Sequence, residues 1–108
     1  MYTSYFAKYT GNEGVSIALK TPSWFDGVSY PDLFPEQSFL SRYFHDKDEA
    51  AYTEAYHERI LSRLNPNQVY KDLNDKVLLC YERSGVFCHR RIVADWICLN
   101  LGIEVPEI

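Results

Sequence analysis

The sequence predicts a small α/β domain of three layers, a mostly parallel short sheet with helices on both faces. Three observations carry this expectation. Val77-Leu78-Leu79-Cys80 is an apolar run without alternation, as in a central strand covered on both sides. The elements follow one another as strand, strand, helices, strand, helix, strand. And 108 residues suit a single domain over 1–108, with a core that needs neither disulfides nor metals to fold.

Tyr2 to Ala7 is rich in aromatic and β-branched types and reads as the first strand. A turn over Thr10 to Gly14 leads to a second strand, Val15 to Leu19, which ends at Lys20-Thr21-Pro22. The connection is only about seven residues, and parallel crossovers usually take a dozen or more, so length alone makes this pair antiparallel. An irregular connection would defeat that reading, and the orientation stays open here. Pro22 to Asp32 is a loop punctuated by Pro and Gly. Trp24 and Phe25 in it suit either stacking on a flat ligand or plugging one end of the core.

Pro35 starts a helix with Phe39, Leu40, Tyr43 and Phe44 on one face. Asp46 to Glu49 breaks it and supplies acidic groups to the start of the next helix, over 48–64. Asn65-Pro66 stops that helix and caps a short one carrying Val69, Tyr70 and Leu73. A long last helix follows the central strand, with Gly102 as its C-terminal cap. Ile103 to Pro106 then reads as an edge strand, because Pro is poorly tolerated in a central one.

A formal charge of −4 and a pI near 5.3 argue against extended nucleic-acid binding, although they leave room for a local cationic pocket. No apolar run is long enough to span a bilayer, and no signal-peptide pattern opens the chain. Three cysteines without regular spacing fit reduced thiols and a cytoplasmic location. Oligomeric state is not legible.

The chemistry gathers where the last helix begins, at Cys88-His89-Arg90-Arg91. The first turn of a helix carries about half a positive charge and favours acidic residues, so cations there call for an anion nearby. Glu82 or a bound ligand is the expected anion. Cys88, at the helix start beside His89 and Arg90, is placed to ionise and act as a nucleophile. Its spacing by four from Ile92 and Trp96 equally suits an inert core residue. Glu82 or His89 would move protons, and Arg90 would hold an anion with the helix N–H groups. The bland alternatives are ion pairs of Arg90 with Glu82 and of Arg91 with Asp95. Cys80 faces either the core or the same pocket, and a Cys80–Cys88 disulfide depends on a distance that sequence does not give. Cys98 reads as packing. A zinc site formed from Cys80, Cys88 and His89 is not expected, since structural zinc wants four ligands and neither His45 nor His57 is placed to be the fourth.

If the second and central strands are parallel, Lys20-Thr21 and Cys80-Tyr81-Glu82 lie at one edge of the sheet, where α/β proteins bind ligands. The ligand-binding set expected there is Arg90, Lys20, Thr21, Cys80 and Trp24, around a small anionic or nucleotide-like molecule. No cofactor is implied. A non-catalytic module that binds a ligand or a nucleic-acid end through the same pocket is the alternative.

The segment Leu79-Cys80-Tyr81-Glu82, a Gly-containing turn and Cys88-His89-Arg90 resemble the bacterial, archaeal and phage family named domain of unknown function 488. Tyr2–Ala7, the Pro22–Phe25 loop, Tyr30-Pro31 with Leu33 and Pro35, the 52–64 helix and residues 101–105 extend the resemblance over nearly the whole chain. It implies a compact α/β fold with a site at the Cys80…Cys88-His89-Arg90 signature. It brings no substrate or reaction.

Overall fold

The computed structural model describes residues 1–108. Four strands form one sheet: β1 (Tyr2–Tyr5), β2 (Gly14–Ser16), β3 (Val28–Ser29) and β4 (Val77–Cys80). Their spatial order is β1-β4-β2-β3 and every pairing is parallel. β4 is central and buried throughout, as its unbroken apolar run predicts.

The first two strands are therefore not partners. Each pairs with β4, in registers Thr3↔Leu78 and Val15↔Leu78. Length misleads because the strands are so short. At about 3.3 Å per residue, three or four residues of strand are recrossed by a brief irregular return. That return folds tightly, with the N–H groups of Lys8 and Tyr9 both donating to the Tyr5 carbonyl. The second strand is also shorter than expected, and β3 is a two-residue exposed edge within the anticipated loop.

The helices are α1 (Gln37–Asp46), α2 (Glu49–Arg59), α3 (Pro66–Leu73) and α4 (His89–Leu101). Pro35 lies just before α1 rather than inside it. The Asp48 carboxylate caps α2 through the Ala51 N–H at 3.0 Å, and Asn65 caps α3 through the N–H groups of Asn67 and Gln68. α2 ends earlier than expected, and residues Leu61–Arg63 form a single 3-10 turn. Gly102 closes α4 at φ 68°, a left-handed conformation that glycine adopts without a Cβ penalty.

All four helices feed one large core that includes Val15, Ile17, Leu33, Tyr56, Leu78, Val93 and Ile97. Buried Tyr56 donates its hydroxyl to the Leu33 carbonyl at 2.6 Å, and so ties α2 to the turn before α1. A smaller cluster of Phe6, Ala18, Val77, Leu79, Cys80 and Cys88 closes the opposite face, packed over by Tyr9 and Phe25 from loops. The layer over that face is built of loop and turn. No edge strand forms over Ile103–Pro106. The chain instead makes one parallel bridge, Thr3↔Glu107, beside β1. No helix is long and apolar enough to cross a membrane.

Candidate functional site

The carboxyl ends of β2 and β4 and the start of α4 meet at one edge of the sheet, because β2 and β4 are adjacent and parallel. A cavity of about 350 Å³ opens there. Ala18, Leu19 and Lys20 line it from the chain after β2, and Cys80, Tyr81 and Glu82 from the end of β4. Tyr43, Phe44, Tyr52 and Phe87 form an aromatic wall, with Cys88 and His89 also lining the space.

Cys88 is the N-terminal cap of α4 and the first residues of the helix follow it inward. His89 is buried, and its Nε2–H donates to the Ile17 carbonyl at 2.7 Å. A carbonyl oxygen only accepts, so Nε2 carries the proton and Nδ1 keeps its lone pair. Nδ1 lies 3.7 Å from Cys88 Sγ. Burial holds the imidazole pKa down at about 4; the Ile17 hydrogen bond opposes this and neighbouring Arg90 adds to it. His89 is neutral at pH 7.

Cys80 and Cys88 are joined through their sulfurs, with their Cα atoms 7.3 Å apart. Arg90, 1% exposed, donates Nη1–H to Cys80 Sγ at 3.0 Å. Its other donors go elsewhere than expected. Nε and Nη2 form a two-pronged pair with the Glu107 carboxylate, at 3.0 and 2.8 Å. Glu107 also accepts from Thr3 Oγ1 at 2.5 Å and from Ser84 Oγ at 2.8 Å. Burial would raise its pKa, but the hydrogen bonds from Arg90, Thr3 and Ser84 outweigh it and hold the carboxyl down at about 2.

Several expectations are corrected by this arrangement. Arg90 pairs with Glu107 and not Glu82, which stays exposed at the cavity rim. Arg91 makes no pair with Asp95; it donates to Thr3 Oγ1 and to the Val105 carbonyl at 2.8 and 2.7 Å. Cys98 is exposed rather than packed. Trp24 is 65% exposed, touches Phe6 edge-on and does not line the cavity. Thr21 also lies off the cavity, its hydroxyl bonded to Ser16 Oγ at 2.7 Å. The structure brings together Lys20, Cys80, Glu82, Cys88 and His89, with Arg90 immediately behind Cys80.

Sequence reasoning missed Glu107 and the aromatic wall. Glu107 lies 17 positions beyond Arg90 in no helical register with it, and only the Thr3 bridge brings it in. The wall is half visible in the sequence, since the helical spacing that puts Tyr43 and Phe44 on one face marks a core face equally well.

The fold and site define a small parallel α/β protein with a cysteine sulfur beside an imidazole at the carboxyl edge of its sheet. Residues 10–101 match the family model DUF488-N3a, described as the active DUF488-N3 subclade, and the chain belongs to that family. No curated protein and no solved structure matches it.

Proposed function

We propose that the chain is an enzyme acting on a small, flat, anionic ligand of nucleotide-like chemistry, bound in the cavity beside Cys88 and His89. One observation carries the reading. His89 is pinned through Nε2–H to Ile17, so that its free Nδ1 lone pair is directed to the side of Cys88, and both residues line the cavity. A buried imidazole fixed in one tautomer beside a thiol is the arrangement a nucleophile and its proton acceptor need. Membership of a subclade described as active agrees with it.

The roles follow from position. Tyr43, Phe44, Tyr52 and Phe87 offer ring faces and edges to a flat ligand. Lys20 is the one lysine or arginine among the cavity-lining residues, and it takes the anion-holding role first expected of Arg90. Glu82 at the rim handles protons exchanged with solvent. In the reduced protein Cys88 Sγ bonds to an electrophilic carbon of the ligand. Its proton passes to His89 Nδ1 and on to the departing group, and water then displaces the sulfur. Burial disfavours imidazolium, so the resting imidazole is neutral and free to accept that proton. This chemistry belongs in a reducing compartment, the cytoplasm.

A second reading has its own support. With the two sulfurs joined the cavity keeps its walls but has no free nucleophile, which favours a module that only binds a ligand or a nucleic-acid end. A thermal-shift screen with nucleobases, nucleotides and phosphate, run with and without reductant, separates the two. The enzyme reading expects a stabilising ligand that is consumed only by reduced protein and is left intact by Cys88→Ala. Stabilisation by a ligand that is never consumed establishes the module. A screen without any stabilising ligand defeats both.

A further inference from the structure

We infer that Cys80, Cys88 and His89 form a binding site for one thiophilic divalent cation, of which Zn²⁺ is the type. The inference rests on the reading of Cys88 as a sulfur reachable from the cavity, and it adds a means of regulating that same group.

Three features point to a cation. The two sulfurs and the imidazole nitrogen lie within 4.8 Å of one another, and all three residues are buried. Zn–S bonds of about 2.3 Å and Zn–N bonds of about 2.0–2.1 Å at a tetrahedral angle require an S···N edge of roughly 3.5 Å. Cys88 Sγ and His89 Nδ1 are 3.7 Å apart. The Cα separation of 7.3 Å is wider than the range of about 4.4–6.8 Å usual for a disulfide, so once reduced the two sulfurs have room to part around a cation.

The groups around the three ligands are those a metal site needs. Metal-ligating histidines commonly donate their other ring N–H to a carbonyl or carboxylate, which fixes the tautomer, and His89 does so to Ile17. Arg90 donates to Cys80 Sγ and so helps to hold a thiolate there. Charge also balances. Arg90 and Glu107 neutralise each other, which leaves two thiolates to be matched by one dication. The missing fourth ligand, which argued against a structural zinc, is resolved by the cavity. Three protein ligands with the fourth position open to a cavity is the plan of a reactive rather than a structural zinc site.

Binding is balanced as follows. A thiol reductant first converts the disulfide to two thiols and is itself oxidised to its disulfide. The cation then displaces both thiol protons to solvent as two metal–sulfur bonds form. An occupied site commits the Cys88 lone pair, so the metal masks the nucleophile and its removal restores it.

The test uses the full chain with Cys98→Ser, which removes the exposed thiol, reduced and handled without oxygen. Co²⁺ is the spectroscopic probe. One equivalent should produce sulfur-to-cobalt charge-transfer bands, and Zn²⁺ should abolish them with the same stoichiometry. Cys80→Ser and Cys88→Ser should each weaken binding by at least about a hundredfold, more than loss of an outer partner costs. In the wild-type chain, one equivalent of Zn²⁺ should slow alkylation of Cys88 by iodoacetamide more than tenfold, with a chelator restoring the rate. These wild-type readings decide the matter even where a variant does not fold. Absence of the sulfur bands, or unchanged Cys88 alkylation with Zn²⁺ present, overturns the inference. A failed nucleotide screen would leave these readings untouched, so the two proposals fail separately.

Discussion

The carboxyl end of β4 has two sides, and they differ in kind. On one, Arg90, Glu107, Thr3, Ser84 and Arg91 form a closed polar network in which the Arg90 donors and the Glu107 carboxylate are engaged. On the other, a mostly apolar cavity surrounds a few polar groups, and the polar partner of His89 Nδ1 is the Cys88 sulfur. Both sides spring from adjacent residues, because positions one apart on a helix point about 100° apart. The difference teaches that charge alone does not mark the reactive groups. The arginines fasten the chain segment after α4 to β1, and the groups with valence to spare are the neutral ones.

The sharpest way to break this comparison is Glu107→Ala, which strands the buried Arg90 guanidinium without its carboxylate. The expected loss is about 3–5 kcal/mol in urea unfolding, a large part of a small domain's stability. A loss below about 1 kcal/mol would show the network to be incidental. Acid comes next. His89 has a folded pKa of about 4 against an ordinary value of 6.5, so the unfolded chain binds more protons between those values. Its contribution, up to about 3 kcal/mol, is complete above pH 6.5 and lost as pH falls to 4. Glu107, lowered from 4.5 to about 2, extends the loss in the same direction through that lower window. Unfolding midpoints across pH should therefore fall in two stages, and His89→Gln should remove only the upper one.

Smaller effects sharpen the contrast further. Tyr56→Phe leaves the buried Leu33 carbonyl unpaired and should cost about 1–2 kcal/mol in the same unfolding assay. Asp48→Ala, which removes the α2 cap, should cost about 1 kcal/mol. At the cavity rim, Glu82→Gln should leave stability within about 0.5 kcal/mol of wild type while changing ligand turnover. If Glu82→Gln destabilised the fold as Glu107→Ala does, the division between a structural side and a chemical side would fail.

Much of this site was legible because it depends on local order. Val77–Cys80 had to be central given its unbroken apolar run, and Cys88 to Gly102 carried the marks of a helix start and stop. The edge at which Lys20, Cys80 and Glu82 meet followed from β2 and β4 being parallel. The pairing of β1 was not legible, since strands of three or four residues escape the usual link between loop length and orientation. Nor was the fate of Arg90, because a cation in a first helical turn signals that an anion is required without saying which one.

The sequence by itself determined the α/β class, the central strand, the acidic start of α2, the caps of α3 and α4, and the neighbourhood of the chemistry. Each depends on contacts within a few positions along the chain, where periodicity and capping rules act. Only the tertiary structure decided that Glu107 answers Arg90, that Trp24 and Thr21 stand aside, and that His89 turns its free nitrogen toward Cys88. Those outcomes rest on contacts between residues as far apart as Thr3 and Glu107 or Ile17 and His89. Such pairs are selected by which strands lie side by side, and no local pattern records that choice.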